Sequence, residues 1–413
     1  MVNNSTVQQK PSHPVRAAPQ IMKTTGDQQL VKRINRSVLL RQLRAQPGLS
    51  RAQLATESGL TKSTVSLLVR ELIDEGWVTE TDVTTTQSQG RPSTPLHIDT
   101  RSRGLIGVEV AVEALRVVGV SLTGQVLCAA EEALNGTKPE DVCRQAARLI
   151  ARTYKQLQQR NIEALGVGVG LPGAFDEATG MLRFAPNLGW RNVDLMPPIA
   201  EALAKAKLPE LKVHLQNEAD TAALSEYEFS DGDAKDSLIF VTCGVGVGAG
   251  IVLNDRLFTG VQGMAGEIGH NILQIDGPLC SCGRRGCAET FFGARTLAKL
   301  PDPTQGGHYL GVVLQNLWTT FNPSTLVVGG PSCDTYPGIV KAAQDTLQRY
   351  ADAAGMAAPT VRPARYGLLA SAVGAAALVL HHELRPMHTG TPLAAARQAD
   401  SEPLSHTTTT TAD

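Results

Sequence analysis

The sequence predicts a mixed α/β protein that begins with a winged helix-turn-helix. Between residues 28 and 75, apolar residues recur at helical spacing in three short segments. From residue 105 onward, short apolar strand patterns alternate with helical patterns, as is typical of α/β domains. Charge is also unevenly distributed, because residues 1–70 contain eleven Lys and Arg but only two acids, whereas the other residues contain 27 bases and 37 acids. A basic head on an acidic body is typical of a nucleic-acid-binding module attached to a second domain.

Length and composition exclude several classes of protein. At 413 residues the chain is too long for one compact core, so we expect two or three domains. It contains no run of 18 or more apolar residues that would span a membrane, and residues 1–29 have no apolar core of the signal-peptide kind. Clustered thiols without a disulfide framework suit a reducing compartment, so a cytoplasmic protein is expected. The scattered cysteines are predicted to be small core residues: Cys128, Cys143, Cys243 and Cys333.

Three helices are predicted in the basic N-terminal region. The first covers residues 28–44 and stops before Pro47-Gly48. Ser50 can cap a second helix over residues 51–57, and Thr61 can cap a third over residues 62–75 after Gly59 interrupts the chain. Two short helices joined by a glycine-containing turn form a helix-turn-helix, whose second helix enters the DNA major groove.

The third helix and the hairpin after it supply the predicted DNA contacts. Polar groups that can reach base edges and phosphates are expected on the outward side of the helix: Lys62, Ser63, Thr64, Ser66 and Arg70. Residues 77–80 and 96–99 are predicted as the strands of a wing. Arg91 lies between glycine and proline in the wing loop and is predicted to enter the minor groove. The alternative is a helical hairpin without a DNA-binding role, which the wing and the positive charge disfavour.

The rest of the chain is predicted to contain two successive sets of strands and helices. The predicted strands are residues 105–112, 115–122, 125–131, 165–170, 213–216, 238–242, 248–253, a short strand near Leu257, and 326–329. The predicted helices are residues 140–159, 217–229 and 368–382.

One short segment carries an imidazole and three thiols: His270, Cys280, Cys282 and Cys287. This is the ligand set of a closed tetrahedral zinc site, in which four protein ligands leave no position for water. Gly283 and Gly286 permit the tight turns that such a loop needs. Chance clustering of cysteines in a glycine-rich turn is the alternative. The pattern favours a structural zinc ion that fixes the loop between Glu267 and Glu289.

The same segment resembles the signature of the ROK family, which joins sugar kinases and sugar-responsive transcriptional repressors. The motifs are Glu267-Ile268-Gly269-His270 and Cys280-x-Cys282-Gly283-x-x-Gly286-Cys287-x-Glu289. The resemblance covers about residues 30–382 and implies a two-lobed, actin-like body of the sugar kinase type with a cleft between its lobes. It also implies that the His and three Cys hold zinc. The segment from Pro301 to Gly307 departs from the family, because more helix would be expected there in a ROK body.

The resemblance further implies a sugar pocket. Family sugar contacts match Asn217, Glu267, His270 and Glu289. Glu218 is expected at the same wall, and Asn187 and Gly173 are expected close to the sugar. Clustered carboxylates suit a polyol, because each one can accept bonds from two hydroxyl donors.

Three positions differ from the phosphate-transfer motifs of the family's kinases. Glu109-Val110-Ala111-Val112-Glu113 stands where the kinases have Asp-x-Gly-Gly-Thr. Val245 stands in a glycine-rich turn where they have threonine. Glu218 follows Asn217 where they have the catalytic aspartate, and the extra methylene displaces the carboxylate from its position as a base. We therefore predict that the protein is not an enzyme.

Together these features predict a sugar-responsive transcriptional regulator, a repressor of carbohydrate-metabolism genes that leaves operator DNA when a sugar binds. A homodimer or homotetramer on a palindromic operator is expected, because protein two-fold symmetry matches palindromic DNA. The alternative is an ATP-dependent sugar kinase with an accessory DNA-binding domain, and an activator would use the same head and sensor. The predicted boundaries are disordered residues 1–26, winged helix-turn-helix 27–100, sugar-binding body 101–385 and a disordered tail 386–413.

Overall fold

The computed structural model of the protein describes residues 28–81, 94–230 and 237–385. In these ranges the predicted α/β architecture is confirmed, since a small helical domain precedes two five-stranded sheets. The segments predicted to be disordered, and Arg91 in the wing loop, lie outside the described residues. In the part of the chain that is described, no helix is long and apolar enough to cross a membrane.

The N-terminal domain, which we call the head, contains three helices and an antiparallel wing. Its elements are α1 Gln28–Ala45, α2 Arg51–Ser58, α3 Lys62–Asp74, β1 Val78–Glu80 and β2 Leu96–Ile98. The predicted caps form: Ser50 makes a capping box with Gln53, and the Thr61 hydroxyl accepts a bond from the Thr64 amide. These bonds satisfy amide groups that the first helical turn leaves without partners. Gly59 has a φ of 70°, a left-handed conformation that ends α2 and sets the turn before α3.

The first lobe of the body is built on a sheet of order β10-β6-β3-β4-β5. Its strands are β3 Arg103–Val110, β4 Ala114–Ser121, β5 Val126–Ala133, β6 Glu163–Leu171 and β10 Lys212–Asn217. The hairpins β3-β4-β5 are antiparallel, whereas β6 pairs in parallel with both β3 and β10. The other elements of this lobe are α4 Pro139–Gln158, β7 Ala174–Asp176, β8 Met181–Ala185, β9 Trp190–Asp194 and α5 Met196–Lys205. The small β7-β8-β9 sheet and α5 were not predicted.

The second lobe has a sheet of order β13-β12-β11-β14-β15. Its strands are β11 Ser237–Cys243, β12 Val247–Leu253, β13 Arg256–Leu257, β14 Thr325–Gly329 and β15 Thr360–Pro363. Its helices are α7 Glu289–Phe292, α8 Ala294–Leu297, α9 Thr304–Phe321, α10 Pro331–Thr335 and α11 Gly338–Ala354.

The expectation that residues 301–307 lack helix is wrong, because α9 begins inside this segment at Thr304. Asp302 accepts bonds from the amide and the hydroxyl of Thr304, which fixes the start of the helix. The glycines serve packing: a Cβ at Gly307 would lie 2.5 Å from the carbonyl oxygen of Ile339 in α11. Glycine at this position therefore lets two helices approach closely and does not end either of them.

Two helices between the sheets connect the lobes: α6 Glu218–Glu228 and α12 Ala370–Glu383. Small residues bring them together, since a Cβ at Gly374 would lie 1.6 Å from the carbonyl oxygen of Thr221. One hydrophobic core includes side chains from the head helices, α6 and α12. Of the scattered cysteines, Cys143, Cys243 and Cys333 are buried as predicted, whereas Cys128 is half-buried.

Candidate functional site

A cavity of about 340 Å³ opens between the two lobes. The structure brings all seven residues predicted for a sugar pocket to its walls: Gly173, Asn187, Asn217, Glu218, Glu267, His270 and Glu289. The first four belong to the first lobe and α6, whereas Glu267 and His270 come from the loop before α7 in the second lobe and Glu289 is the first residue of α7. Its volume is near the lower end of the range of about 300–1,000 Å³ for small-molecule sites. The cavity therefore suits a ligand the size of a monosaccharide.

Asn217 fixes the corner of the cavity where β10 leads into α6. Its Oδ1 accepts bonds from the amides of Ala219 at 2.7 Å and Asp220 at 3.2 Å, so it caps α6. Its Nδ2 donates to the carbonyl oxygen of Gly173 at 2.7 Å. Gly173 has a φ of 92°, and a Cβ there would lie 2.0 Å from the carbonyl oxygen of Phe184. One N–H of Asn217 remains for a ligand, because the other polar positions of its amide hold the wall together.

Three carboxyl groups line the cavity: Glu218, Glu267 and Glu289. Burial, reinforced by the negative charges of Glu109 and Glu267, raises the pKa of Glu218 to about 8. Burial also raises the pKa of Glu267, with a further contribution from Glu289, against the opposing charges of His270 and Arg284. A protonated carboxyl can donate one hydrogen bond and accept others, which matches the dual character of a sugar hydroxyl.

The turn at the end of β3 differs from an anion site. Glu109 is buried, and its Oε2 lies 3.0 Å from Nη1 of Arg116 on the neighbouring strand β4. Arg116 also contacts Glu131 on β5, with 2.8 Å between Nε and Oε2. Burial raises the pKa of Glu109 although Arg116 opposes this shift. Arg116, the cation among these three side chains, is thus already shared by the carboxylates of Glu109 and Glu131. Its charge is therefore not free to attract an anion at this turn.

The His and Cys side chains predicted as metal ligands converge next to the cavity. The ligand atoms of His270, Cys280, Cys282 and Cys287 all lie within 4.8 Å of one another. Two of the distances, Sγ of Cys280 to Nδ1 of His270 and Sγ of Cys282 to Sγ of Cys287, are 3.7 Å. In a tetrahedron with metal–sulfur bonds of about 2.3 Å, the edge is about 3.8 Å. The four side chains are therefore spaced and chemically suited to hold one metal ion.

The cluster of His270, Cys280, Cys282 and Cys287 is connected to the cavity through the backbone. Glu267 precedes a 3₁₀ turn, Ile268–His270, that presents the imidazole, and the amide of His270 donates to the carbonyl oxygen of Glu267. At the other end, Cys287 pairs with Ile272 in a β-bridge, and Glu289 begins α7 two residues later. Fixing the four ligands thus fixes both cavity carboxylates.

The head presents a polar helix face to solvent. Lys62, Ser63, Ser66 and Arg70 are exposed along α3, whereas Thr64 is half-buried. The Thr64 hydroxyl lies 2.8 Å from the Thr61 hydroxyl, so this side chain is engaged in the helix cap.

Sequence reasoning missed several residues at both surfaces. Thr290, Arg295 and Thr296 also line the cavity, and their position just after Glu289 is the signal that could have revealed them. On α3, Leu67 is 56% exposed. It lies four residues after Ser63 and three before Arg70, a spacing that places all three on one helical face.

Comparisons with known proteins agree with this architecture. Residues 105–306 match the model of the ROK family, and residues 33–79 match the model described as winged helix-turn-helix DNA-binding. The xylose repressor of Bacillus subtilis (strain 168) is 28% identical over 384 residues, covering 87% of this chain and 98% of that protein. The xylose repressor of Caldicellulosiruptor bescii is 34% identical over 275 residues, covering 66% of this chain and 67% of that protein. The chain belongs to the ROK family.

Two solved structures show how the parts compare. A ROK family transcriptional regulator, a homolog of the E. coli MLC protein, matches with a TM-score of 0.68 at 23% identity, covering 87% of this chain and 98% of that one. This likeness shows the fold. A ROK family glucokinase from Streptomyces griseus, solved with glucose and AMPPNP, matches with a TM-score of 0.56 at 26% identity, covering 67% of this chain and 98% of the kinase. The actin-like, sugar kinase-type body predicted from the sequence is therefore confirmed.

Proposed function

We propose that the protein is a sugar-responsive transcriptional repressor of carbohydrate-metabolism genes. The observation that carries the proposal is the combination, in one chain, of a helix-turn-helix with an exposed polar face and an acidic, monosaccharide-sized cavity. The xylose repressor of Bacillus subtilis, which matches 87% of this chain, supports the same function.

The sugar-binding residues of this proposal surround the cavity. Glu267 and Glu289 accept bonds from sugar hydroxyls, while Asn217 donates its remaining N–H. His270 orients the loop between them, and Glu218 in its protonated form both donates and accepts. Asn187 and Gly173 also line the cavity.

Zinc is the proposed metal of the His270, Cys280, Cys282 and Cys287 cluster. Three thiolates and one imidazole favour this ion over hard cations, which prefer oxygen ligands. Because all four ligands come from the protein, the ion stabilises the loop and has no open position for catalysis. The zinc site therefore serves the sugar site by holding Glu267 and Glu289 in place.

DNA is bound by the head in this proposal. Lys62, Ser63, Ser66 and Arg70 on α3 enter the major groove, Thr64 supports the start of the helix, and Arg91 reaches the minor groove. A homodimer or homotetramer would place two heads on a palindromic operator, with half-sites about one helical turn or a multiple of it apart.

The sugar signal reaches the head through α6. This helix starts at Glu218 in the cavity and ends at Glu228, which forms an ion pair with Arg44 of α1. A sugar that closes the lobes around the cavity therefore also acts on the element that supports the head. DNA affinity then falls by the coupling free energy between the two sites.

The second candidate is a sugar kinase, favoured by the likeness to the Streptomyces griseus glucokinase. Two features oppose this candidate. Glu109 and Arg116 form an ion pair next to the turn where a kinase would hold phosphates. Glu218 would have to act as the base despite its longer side chain. An assay of ATP consumption over a sugar panel, with that glucokinase as positive control, separates the candidates, and sugar-dependent turnover would establish the kinase.

The test of the main proposal is a gel-shift experiment with the full-length protein and DNA from upstream of its own gene. The experiment is repeated with free and phosphorylated hexoses, pentoses and N-acetylhexosamines. We expect a specific complex that one sugar dissociates. Binding that no sugar changes would overturn the sensor function, and a lack of specific binding would overturn the repressor function.

A further inference from the structure

Leu67 is the one large apolar side chain that the described part of α3 leaves more than half exposed, at 56%. The buried side of the same helix is complete without it, since Val65, Leu68, Val69 and Leu72 all face the core of the head. In the described part of the head, one other large apolar residue is exposed, Val31 on α1, at 47%. Leu67 therefore contributes little to the head's own core.

The surroundings of Leu67 are those of a DNA-reading surface. Ser63 lies one turn before it and Arg70 lies one turn after it on the same face, and all three are exposed. Ser63 and Arg70 are about 10 Å apart along the helix axis, a distance of about three base-pair steps. Leu67 lies between them, in the first half of the recognition helix, where residues reach base edges.

The chemistry of the major groove offers one apolar group for such a side chain. The C5 methyl of thymine is the apolar feature of the four bases there, and the remaining edges present donors and acceptors. An exposed leucine beside serine and arginine gains nothing from phosphates. Contact with a methyl group removes apolar surface of both partners from water.

We infer that Leu67 is a specificity-determining residue that reads the methyl group of a thymine in each operator half-site. This inference rests on the proposed DNA-binding function and deepens it. The thymine lies in the major groove within about two base pairs of the position contacted by Arg70.

The test is a double-mutant cycle between protein and DNA. The bound sequence is first located by footprinting the wild-type, full-length protein on DNA upstream of its gene. Each thymine is then replaced by deoxyuridine, symmetrically in both half-sites, which removes only the methyl group. We expect one position at which the replacement weakens wild-type binding by about fourfold per half-site, the value for one apolar carbon group. On DNA that contains this thymine, Leu67→Ala should bind about fourfold more weakly per half-site than the wild type. Replacing the thymine by deoxyuridine should not weaken the binding of Leu67→Ala further.

Two variants make the result decisive. Val31→Ala removes a comparable exposed apolar group from α1 and should retain the wild-type response to deoxyuridine. Leu67→Met keeps an apolar side chain and should retain thymine preference, which also covers the case in which the alanine variant is poorly folded. The inference is overturned if, at every thymine position, deoxyuridine weakens the DNA binding of Leu67→Ala by the same factor as it weakens wild-type binding. It is also overturned if Leu67→Ala binds the operator as tightly as the wild type does. If the wild type binds no specific sequence, the proposed function itself fails.

Discussion

Arg44 near the end of α1 forms an ion pair with Glu228 at the end of α6, with 2.7 Å between Nη1 and Oε2. The Glu228 side chain is 1% exposed and also contacts Arg385 at 2.6 Å and His381 at 2.7 Å. Burial alone would raise the pKa of Glu228, but Arg385, Arg44 and His381 hold it well below its usual range. One buried carboxylate thus connects the head to the helix that starts in the cavity.

Arg44→Ala should uncouple sugar binding from DNA binding. The substitution removes this ion pair between α6 and α1, while Arg385 still neutralises Glu228, so no isolated buried charge remains. Coupling free energies of 1–3 kcal/mol correspond to changes of about 5- to 150-fold in affinity. In Arg44→Ala, we expect the sugar to change operator affinity by less than about threefold. Operator affinity is measured with and without the sugar identified by gel shift, and sugar affinity by calorimetry.

Lys32→Ala is the matched control for this coupling. Lys32 lies on the same helix but contacts Glu71 inside the head, at 2.8 Å. The Lys32→Ala variant should therefore show the same sugar-induced change in operator affinity as the wild type. A full response in Arg44→Ala, or an equal loss in both variants, would show that α6 does not transmit the signal through this ion pair.

Glu218→Gln should change how stability depends on pH. The pKa of Glu218 is about 8 in the folded protein, against 4.5 as its ordinary value, so the folded state binds the proton more tightly. Its contribution to stability is therefore complete below about pH 4.5 and is lost as the pH rises towards 8. Relative to the wild type, Glu218→Gln should gain up to about 1.4 kcal/mol of unfolding free energy for each pH unit within this window.

Urea unfolding between pH 6 and pH 8 measures this difference. Glu210→Gln removes an exposed glutamate outside the cavity and serves as the control. Its difference from the wild type should stay constant over the same range. A constant difference for Glu218→Gln as well would mean that the cavity does not hold Glu218 in its protonated form.

Residue spacing alone could predict the parts of the site that lie close together in the chain, whereas the cavity residues between Gly173 and Glu289 were predicted from the family resemblance. His270 to Cys287 is a local segment, so its ligand set could be recognised before the fold was known. Ser50 and Thr61 cap helices within three residues, which is also a local relationship. By contrast, Arg44 and Glu228 are 184 positions apart and carry no pattern that joins them. Their pairing depends on the packing of the head against α6 and α12, which share one hydrophobic core and which local periodicity does not specify.

The same distinction explains the errors around α9. Proline and glycine at residues 301–307 predict a break by local propensity. Tertiary packing overrides this preference, because Gly307 admits the backbone of α11 at Ile339. Leu67 was missed for a related reason: its apolar character does not reveal whether it faces the core or the solvent.

Cys282→Ser should release the proposed zinc ion and weaken sugar binding. Loss of one thiolate opens a closed tetrahedral site, so metal content should fall from about one zinc per chain towards zero. Glu267 and Glu289 then lose the loop that positions them. Elemental analysis measures the metal and calorimetry measures sugar affinity. Cys128→Ser, which alters a half-buried thiol outside the cluster, should leave both unchanged. Wild-type sugar affinity in a metal-free Cys282→Ser protein would refute the structural role.

Arg70→Ala should weaken operator binding and leave sugar affinity unchanged. Arg70 is exposed on α3, away from the cavity, so its positive charge is available to DNA. Loss of one phosphate contact would lower the slope of log affinity against log salt by about one, whereas loss of a base contact would cost about 1–3 kcal/mol and relax specificity at one position. Titrations at several salt concentrations distinguish these results. Arg33→Ala, at an exposed arginine of α1, is the control, and an equal effect there would indicate general attraction rather than a contact made by α3.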